Sequence, residues 1–315
     1  MISIVLRGGG RLSFLSGQGF THICHPELVS GSKFVRIRSG NTSTLPLGEG
    51  GRSPGEGISL SRKFGFTLAE VLITLAIIGI VAAMTLPALI QKQNEKAAVT
   101  ALKKFYSSVS QAYIFAKNEY GTPDGWYGGY MAKGSPQGSN IMVDIMTKYM
   151  KTSKICHNDK GCFKDITYKK IDGKNSDNFN SMTDISKLIT SDGMSVFMYT
   201  YGSSPDVTGG GFQNESYGAI SVDINGFKGP NVFGQDMFSF ILTKEGIYPF
   251  GSPSSIQDET LEDSSVIKIY SFPRACNRKD CYGLCEGCTA WVLLNENMDY
   301  LHCDDLSWNG KTKCK

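Results

Sequence analysis

From Val71 to Ile90 the chain runs VLITLAIIGIVAAMTLPALI, twenty residues with no formal charge and two threonines. At about 1.5 Å per residue, a helix of this length covers the roughly 30 Å hydrocarbon core of a bilayer. A segment this apolar must satisfy its backbone internally and surround its side chains with lipid or with other helices. A membrane helix is therefore the first expectation, and the rest of the chain has to be arranged around it. The residues just ahead are ordered: basic Arg62 and Lys63, then Phe64, Gly65 and Phe66, and a single carboxylate at Glu70. An acid at the head of an apolar helix is expensive in lipid unless a cation answers it.

That order resembles the prepilin family, the precursors of type IV pilins and type II secretion pseudopilins. The resemblance covers about Lys63 to Gln91 and includes Gly79 and Pro87, which fall where many pilins carry a glycine and a helix-loosening proline. It implies cleavage after Gly65 by a membrane aspartyl peptidase and N-methylation of the new terminus at Phe66. It also implies that Glu70, the fifth mature residue, faces the positive N-terminus of a neighbouring subunit during assembly. Pro87 removes one backbone hydrogen bond and is expected to kink the helix. Arg62 and Lys63 fit the positive-inside rule, placing the leader in the cytoplasm and the C-terminal domain outside the inner membrane as a single-pass protein, later in a filament. The implied partners are other pilin or pseudopilin subunits, the prepilin peptidase and membrane lipid. The alternative is a signal anchor in which Glu70 only complements the helix dipole.

Residues 1–62 are rich in Gly, Ser and Arg and show no sustained period, whereas prepilin leaders are short. Translation from a misplaced start, with true initiation at a non-Met codon near Leu60, is one expectation, and a long cytoplasmic leader is the other. Residues 1–65 carry eight Lys/Arg against three Asp/Glu, out of totals of 32 and 29, so the chain beyond them has net charge −2. Such a domain offers no general basic field for nucleic acid.

The spacing predicts that the helix continues past Pro87, since Ala98, Leu102, Phe105, Val109, Ala112, Tyr113 and Ala116 recur three and four apart beside Lys92, Lys96, Lys103 and Lys104. Gly121 and Pro123 end it, giving about 50 residues and about 80 Å. Apolar alternation at Met194–Tyr201, Tyr217–Ile224 and Met237–Thr243, with a further run at Val266–Phe272, predicts strands between turn-rich stretches. The fold class expected is α+β: a long N-terminal helix packed on an antiparallel sheet, with a cysteine-rich C-terminal region. Its divisions are a leader at 1–65, a transmembrane helix at 66–90, and an amphipathic helix at 91–119. A variable connection at 120–190, the sheet at 191–275 and the cysteine-rich end at 276–315 complete it. Within the connection, IMVDIMTKYM reads as a short helix. In the C-terminal region, Cys288–Asn295 reads as a helix with Asn297 as its C-cap, a hairpin at 295–297 fitting almost as well.

Beyond Cys24 there are eight cysteines: Cys156, Cys162, Cys276, Cys281, Cys285, Cys288, Cys303 and Cys314. An even set downstream of an export anchor predicts disulfides in an oxidising compartment. Cys156 with Cys162 is the one pairing suggested by proximity. Four thiolates at Cys276, Cys281, Cys285 and Cys288 also suit tetrahedral zinc or an iron–sulfur cluster, although the spacing matches no strict pair of CxxC motifs.

Asp223, Asn225, Asn231 and Asp236 form an oxygen-rich loop between two strands, and hard oxygen ligands suit calcium. The loop also looks similar to the region where major pseudopilins hold that ion. The EF-hand pattern is absent, and Asn and Asp in turns commonly bond local backbone instead. Basic and aromatic residues interleave at Lys164–Lys174, KDITYKKIDGK, a pattern that can bind single-stranded DNA but more often marks a solvated face. Beyond residue 65 the sequence lacks HExxH, GxSxG and a complete P-loop. His302 beside Cys303 suggests a Cys–His couple, but an even cysteine set is expected to be bridged, so no enzyme is expected.

Three function classes stand open. The first is a pilin or minor pilin of a type IV pilus, and its rival is a pseudopilin of a type II secretion system. The third is a membrane-anchored adhesin or DNA-binding module, with DNA or a surface ligand as partner.

Overall fold

The computed structural model describes residues 65–204, 216–252 and 272–314, with the backbone also at 259–260 and 266–267. The expected leader and the basic pair Arg62 and Lys63 lie outside the described residues. One helix, α1 (Leu68–Tyr120), runs 53 residues and passes through Pro87 without interruption. Thr67 caps its start, and Gly121 ends it at φ 75° with its N–H on the Lys117 carbonyl. α2 (Pro136–Thr147) is capped by Ser135, whose hydroxyl accepts from the Gly138 N–H, with Pro136 in the first turn where its missing N–H is harmless.

The main sheet has six antiparallel strands in chain order: β1 (Thr152–His157), β2 (Ser186–Thr190), β3 (Ser195–Thr200), β4 (Ser216–Asp223), β5 (Met237–Thr243) and β6 (Ile247–Pro249). The expected α+β architecture is thus present, a long helix with an antiparallel sheet. The sheet starts earlier than residue 191, because β1 and β2 fall inside the expected connection. β1 is an edge strand carrying Lys154, and β2 carries the buried Lys187, so neither shows clean alternation. Of the run at Val266–Phe272, residues 268–271 lie outside the described residues, and Val266–Ile267 (β8) pairs with Glu259–Thr260 (β7) in a separate two-stranded sheet.

Alternation across the sheet sorts its side chains into two layers. Leu188, Val196, Met198, Ile220, Val222, Phe238, Phe240 and Leu242 pack with the α1 stripe Val99, Leu102, Phe105, Val109, Ala112, Tyr113 and Ala116. Phe240 lies 5.4 Å from the Tyr106 ring, stacked, and 5.7 Å from Phe105. Tyr113 donates to the Thr243 carbonyl at 2.7 Å, which locks the helix to the end of β5. On the opposite face Phe163, Tyr168, Phe179, Phe197 and Phe233 form a second cluster. Both faces are covered, which is why every residue of β4 and β5 is buried.

Lys187 is fully buried beneath this second layer. Its ammonium donates to the carbonyls of Asn158, Asn180 and Met182 at 3.1, 3.2 and 2.6 Å, joining two loops that have no strand of their own. Burial lowers its pKa, because the charged form loses hydration.

α3 (Cys288–Asn295) lies against β5 and α1. Its end differs from the expected Asn297 cap. Glu296 takes the left-handed conformation, at φ 55°, and closes the helix. Asn297 instead accepts from the Trp291 indole N–H and donates to the Thr312 carbonyl, pinning the terminal segment. Trp291 is fully buried, stacked on Phe272 at 3.8 Å and tilted against Trp308 at 5.1 Å.

All eight described cysteines are bridged: Cys156–Cys162, Cys276–Cys288, Cys281–Cys285 and Cys303–Cys314. The alternative of a four-thiolate metal centre is overturned, since its four sulfurs pair with one another.

Candidate functional site

The N-terminal part of α1 is exposed from Phe66 onward, with Ala82 alone half-buried up to Gln91. It is long and apolar enough to cross a membrane. Thr67 and Glu70 form a reciprocal cap: the Glu70 N–H donates to Thr67 Oγ1 at 3.2 Å, and Glu70 Oε2 accepts from the Thr67 N–H at 2.8 Å and hydroxyl at 2.9 Å. Two orphan donors at the helix start are satisfied this way. Only one carboxylate oxygen is used, so Oε1 stays free among the described residues. Phe66 is 88% exposed. A Cβ built on Gly65 meets nothing within 4 Å, and the same holds at Gly79. No packing within the described chain requires glycine at either position, so any demand for it comes from outside the chain.

The second candidate is the loop between β4 and β5. Asp223 and Asp236 are both buried. Tyr168 donates to Asp223 Oδ2 at 2.7 Å, and the Asn225 N–H donates to Oδ1 at 3.2 Å. Asp236 accepts from the N–H groups of Asn231 and Val232, each at 2.7 Å, and from the Asn225 amide at 3.1 Å. Gly226 makes the turn possible: its φ is 63°, and a Cβ there would come within 2.3 Å of the Gly193 carbonyl. Burial and the nearby Asp236 charge push the Asp223 carboxyl up to about 8. Burial raises Asp236 as well, against the pull of its N–H donors. The side-chain oxygens of Asn225 and Asn231 are buried without a protein partner. Two carboxylates and two amide oxygens therefore stand on one loop. No group of three or more His, Cys, Asp or Glu side chains suited to a metal occurs among the described residues.

Other expected features fall apart as sites. Tyr168 and Phe163 are core residues, so the Lys164–Lys174 run has no ring on which a base can stack. Two of its lysines are already engaged: Lys174 pairs with Asp280 at 2.9 Å, and Lys170 donates to the Gly283 carbonyl. His302 is held by Glu95 at 2.8 Å, and Cys303 is bridged to Cys314, so the suggested Cys–His couple does not form.

Sequence reasoning missed a groove of about 910 Å³ that runs along α1 from Pro87 to Ala101. Ile224, Asn225, Lys228, Gly229, Pro230, Gln235 and Asp236 also line it, together with Met298 and Leu301. The one available signal was the alanine run Ala97, Ala98 and Ala101, too small to fill the space beside it.

Two family models match the chain. Residues 60–86 fit the prokaryotic N-terminal methylation motif, the prepilin-type cleavage and methylation signature, which gives the chain a pilin- or pseudopilin-like role. Residues 88–247, half of the chain, fit the family of unknown function DUF6613. No curated protein and no solved structure matches it. With a methylation motif on the exposed helix and the helix–sheet body under the second match, the chain belongs to the family of unknown function DUF6613 and carries a prepilin-type N-terminus.

Proposed function

We propose that this protein is a type IV pilus subunit, cut after Gly65, N-methylated at Phe66 and assembled through the apolar part of α1. The observation that carries the reading is the exposed stretch from Phe66 to Ile90 with a single acid at its head. Lipid covers this surface before assembly, and neighbouring helices cover it afterwards. Glu70 then has two roles. Oε2 caps its own helix, and Oε1 is open to the ammonium of a neighbour's Phe66, which sets register between subunits. The same chemistry serves a secretion pseudopilin, the closest rival. The mechanism is assembly and not turnover of a substrate.

The test is the N-terminal mass of the mature protein from membranes of a host with the cognate peptidase. A chain beginning at N-methylated Phe66 supports the reading. An intact leader, or a cut well after Ile90, overturns it.

A second reading concerns the β4–β5 loop. We infer that calcium is held there by Asp223 and Asp236 with the amide oxygens of Asn225 and Asn231. Two buried carboxylates that form no ion pair among the described residues, beside two buried amide oxygens without a protein partner there, favour it. Bound calcium would supply the missing positive charge and fix the loop. Isothermal titration with calcium showing no binding removes the idea.

A further inference from the structure

The groove beside α1 lies at a defined height on the helix. If Val71–Ile90 fills the hydrocarbon core, the next five or so residues, Gln91–Glu95, stand in the headgroup layer. Gln91, Asn94 and Glu95 line the groove at that level, and Pro87 and Ile90 line it at the adjoining edge of the core. Across from them stand Lys228, Gly229 and Pro230, so the loop Gly226–Pro230 reaches down to the end of the apolar segment. Its tip is an exposed pair: Phe227, 48% exposed, and Lys228. Lys92 and Lys96 are exposed at the same height on the side of α1 away from the groove, and neither they nor Lys228 form an ion pair among the described residues. Of the acids nearby, Glu95 is engaged by His302, and Asp236 is buried and turned onto three N–H donors of its own loop.

We propose that the Gly226–Pro230 loop is a second membrane contact. Phe227 enters the interface of the bilayer that α1 crosses. Lys228 takes the phosphate of a phospholipid at the mouth of the groove, and that lipid's glycerol and upper acyl chain occupy the groove beside Pro87 and Ile90, while Lys92 and Lys96 meet headgroups on the other side of α1. An aromatic side chain next to cations on an otherwise polar loop matches the composition of that layer. Pro87 and Ile90 belong both to the exposed apolar segment and to the groove lining, which selects lipid as the occupant. The contact holds the globular part against the membrane until a subunit is withdrawn into a filament. This inference rests on the reading that α1 spans the membrane.

Two single-tryptophan additions to the full chain separate the inference from that premise. Phe227→Trp reports the loop and Ile78→Trp reports the helix, each measured against the unaltered chain with its three native tryptophans. The chains are placed in vesicles of phosphatidylcholine and phosphatidylglycerol whose phosphatidylcholine is brominated at upper or at middle acyl carbons. The expected result is strong quenching of Ile78→Trp by the mid-chain bromines, and a roughly twofold loss of Phe227→Trp emission with the upper-chain bromines. In Phe227→Trp combined with Lys228→Glu that loss should shrink. Quenching of the helix reporter without quenching of the loop reporter overturns the loop contact and leaves the anchor standing. A loop reporter that is blue-shifted but unquenched assigns the groove to a second copy of the chain and also overturns it. No quenching of either reporter removes the membrane premise and the loop contact together.

Discussion

Asp223→Asn is the substitution whose outcome depends most sharply on pH. The Asp223 carboxyl has an ordinary pKa of 3.8 and is pushed up to about 8 in the fold, first by burial and then by Asp236. Between those values the folded chain holds a proton more tightly than the unfolded chain, so stability falls as pH rises toward 8 and is lowest above it. About four pH units at about 1.4 kcal/mol each give a penalty on the order of 5 kcal/mol above pH 8. Asparagine removes this penalty but introduces an amide N–H₂ opposite the Tyr168 hydroxyl or the Asn225 N–H. Both of those groups now donate, so the mismatch costs about 1–3 kcal/mol. The net expectation at pH 8 is a gain of about 2–4 kcal/mol, or roughly 5–15 °C in Tm for a chain of this size. At pH 4, where the native carboxyl is protonated, the variant should show no gain. Differential scanning calorimetry of the full chain in detergent with chelator, at both pH values, measures this. A variant equally destabilised at both would refute the reasoning, because it would mean that Tyr168 and Asn225 satisfy the anion fully. Repeating the scan with calcium checks the cation reading: at pH 8 the native Tm should rise, and the Asp223→Asn variant should respond far less.

Glu70→Gln keeps an acceptor for the Thr67 N–H but removes the charge, so membrane insertion and cleavage should persist while filament yield falls at least about tenfold; sheared-filament immunoblots read it, and normal yield would leave Glu70 a helix cap only. Gly65→Val should leave a longer, unprocessed precursor in the membrane fraction by mass, without loss of helix content, since the added atoms meet nothing in the described chain. Lys187→Met strands three carbonyls beneath the second aromatic layer and should cost about 3–5 kcal/mol in denaturant unfolding, a severe loss for one residue.

The N-terminal helix was legible because its evidence is dense: twenty uncharged residues, then a three-and-four stripe that the structure buries from Val99 to Ala116. β3, β4 and β5 were legible for the same reason, as their apolar residues recur on one face. β1 and β2 were not. A lysine at position 187 reads as a solvent-facing residue, and only the carbonyls of Asn180 and Met182 just ahead of β2, with that of Asn158 beyond β1, make it a core residue. Tyr168 misled in the opposite way: amid the four lysines of the Lys164–Lys174 run it reads as a surface ring, yet Asp223, 55 residues away, draws its hydroxyl inward. Disulfide partners were mostly beyond reach because eight thiols allow about 105 full pairings, and the choice depends on where α3 places Cys288. The oxygen-rich loop was visible as composition, but the burial of its two carboxylates depends on the second layer that covers it.

Under the export proposed above, the disulfide topology bears on how the chain matures. Cys156 and Cys162 are neighbours in order of emergence and pair with each other, as do Cys303 and Cys314. The middle four are nested, Cys281–Cys285 lying inside Cys276–Cys288. An oxidase that joined thiols as they appeared outside the membrane would link Cys276 to Cys281 and strand Cys285 with Cys288. The native arrangement therefore requires either that α3 folds before its thiols are oxidised, or that an isomerase reshuffles them, which makes the supply of this subunit depend on the redox machinery of its compartment.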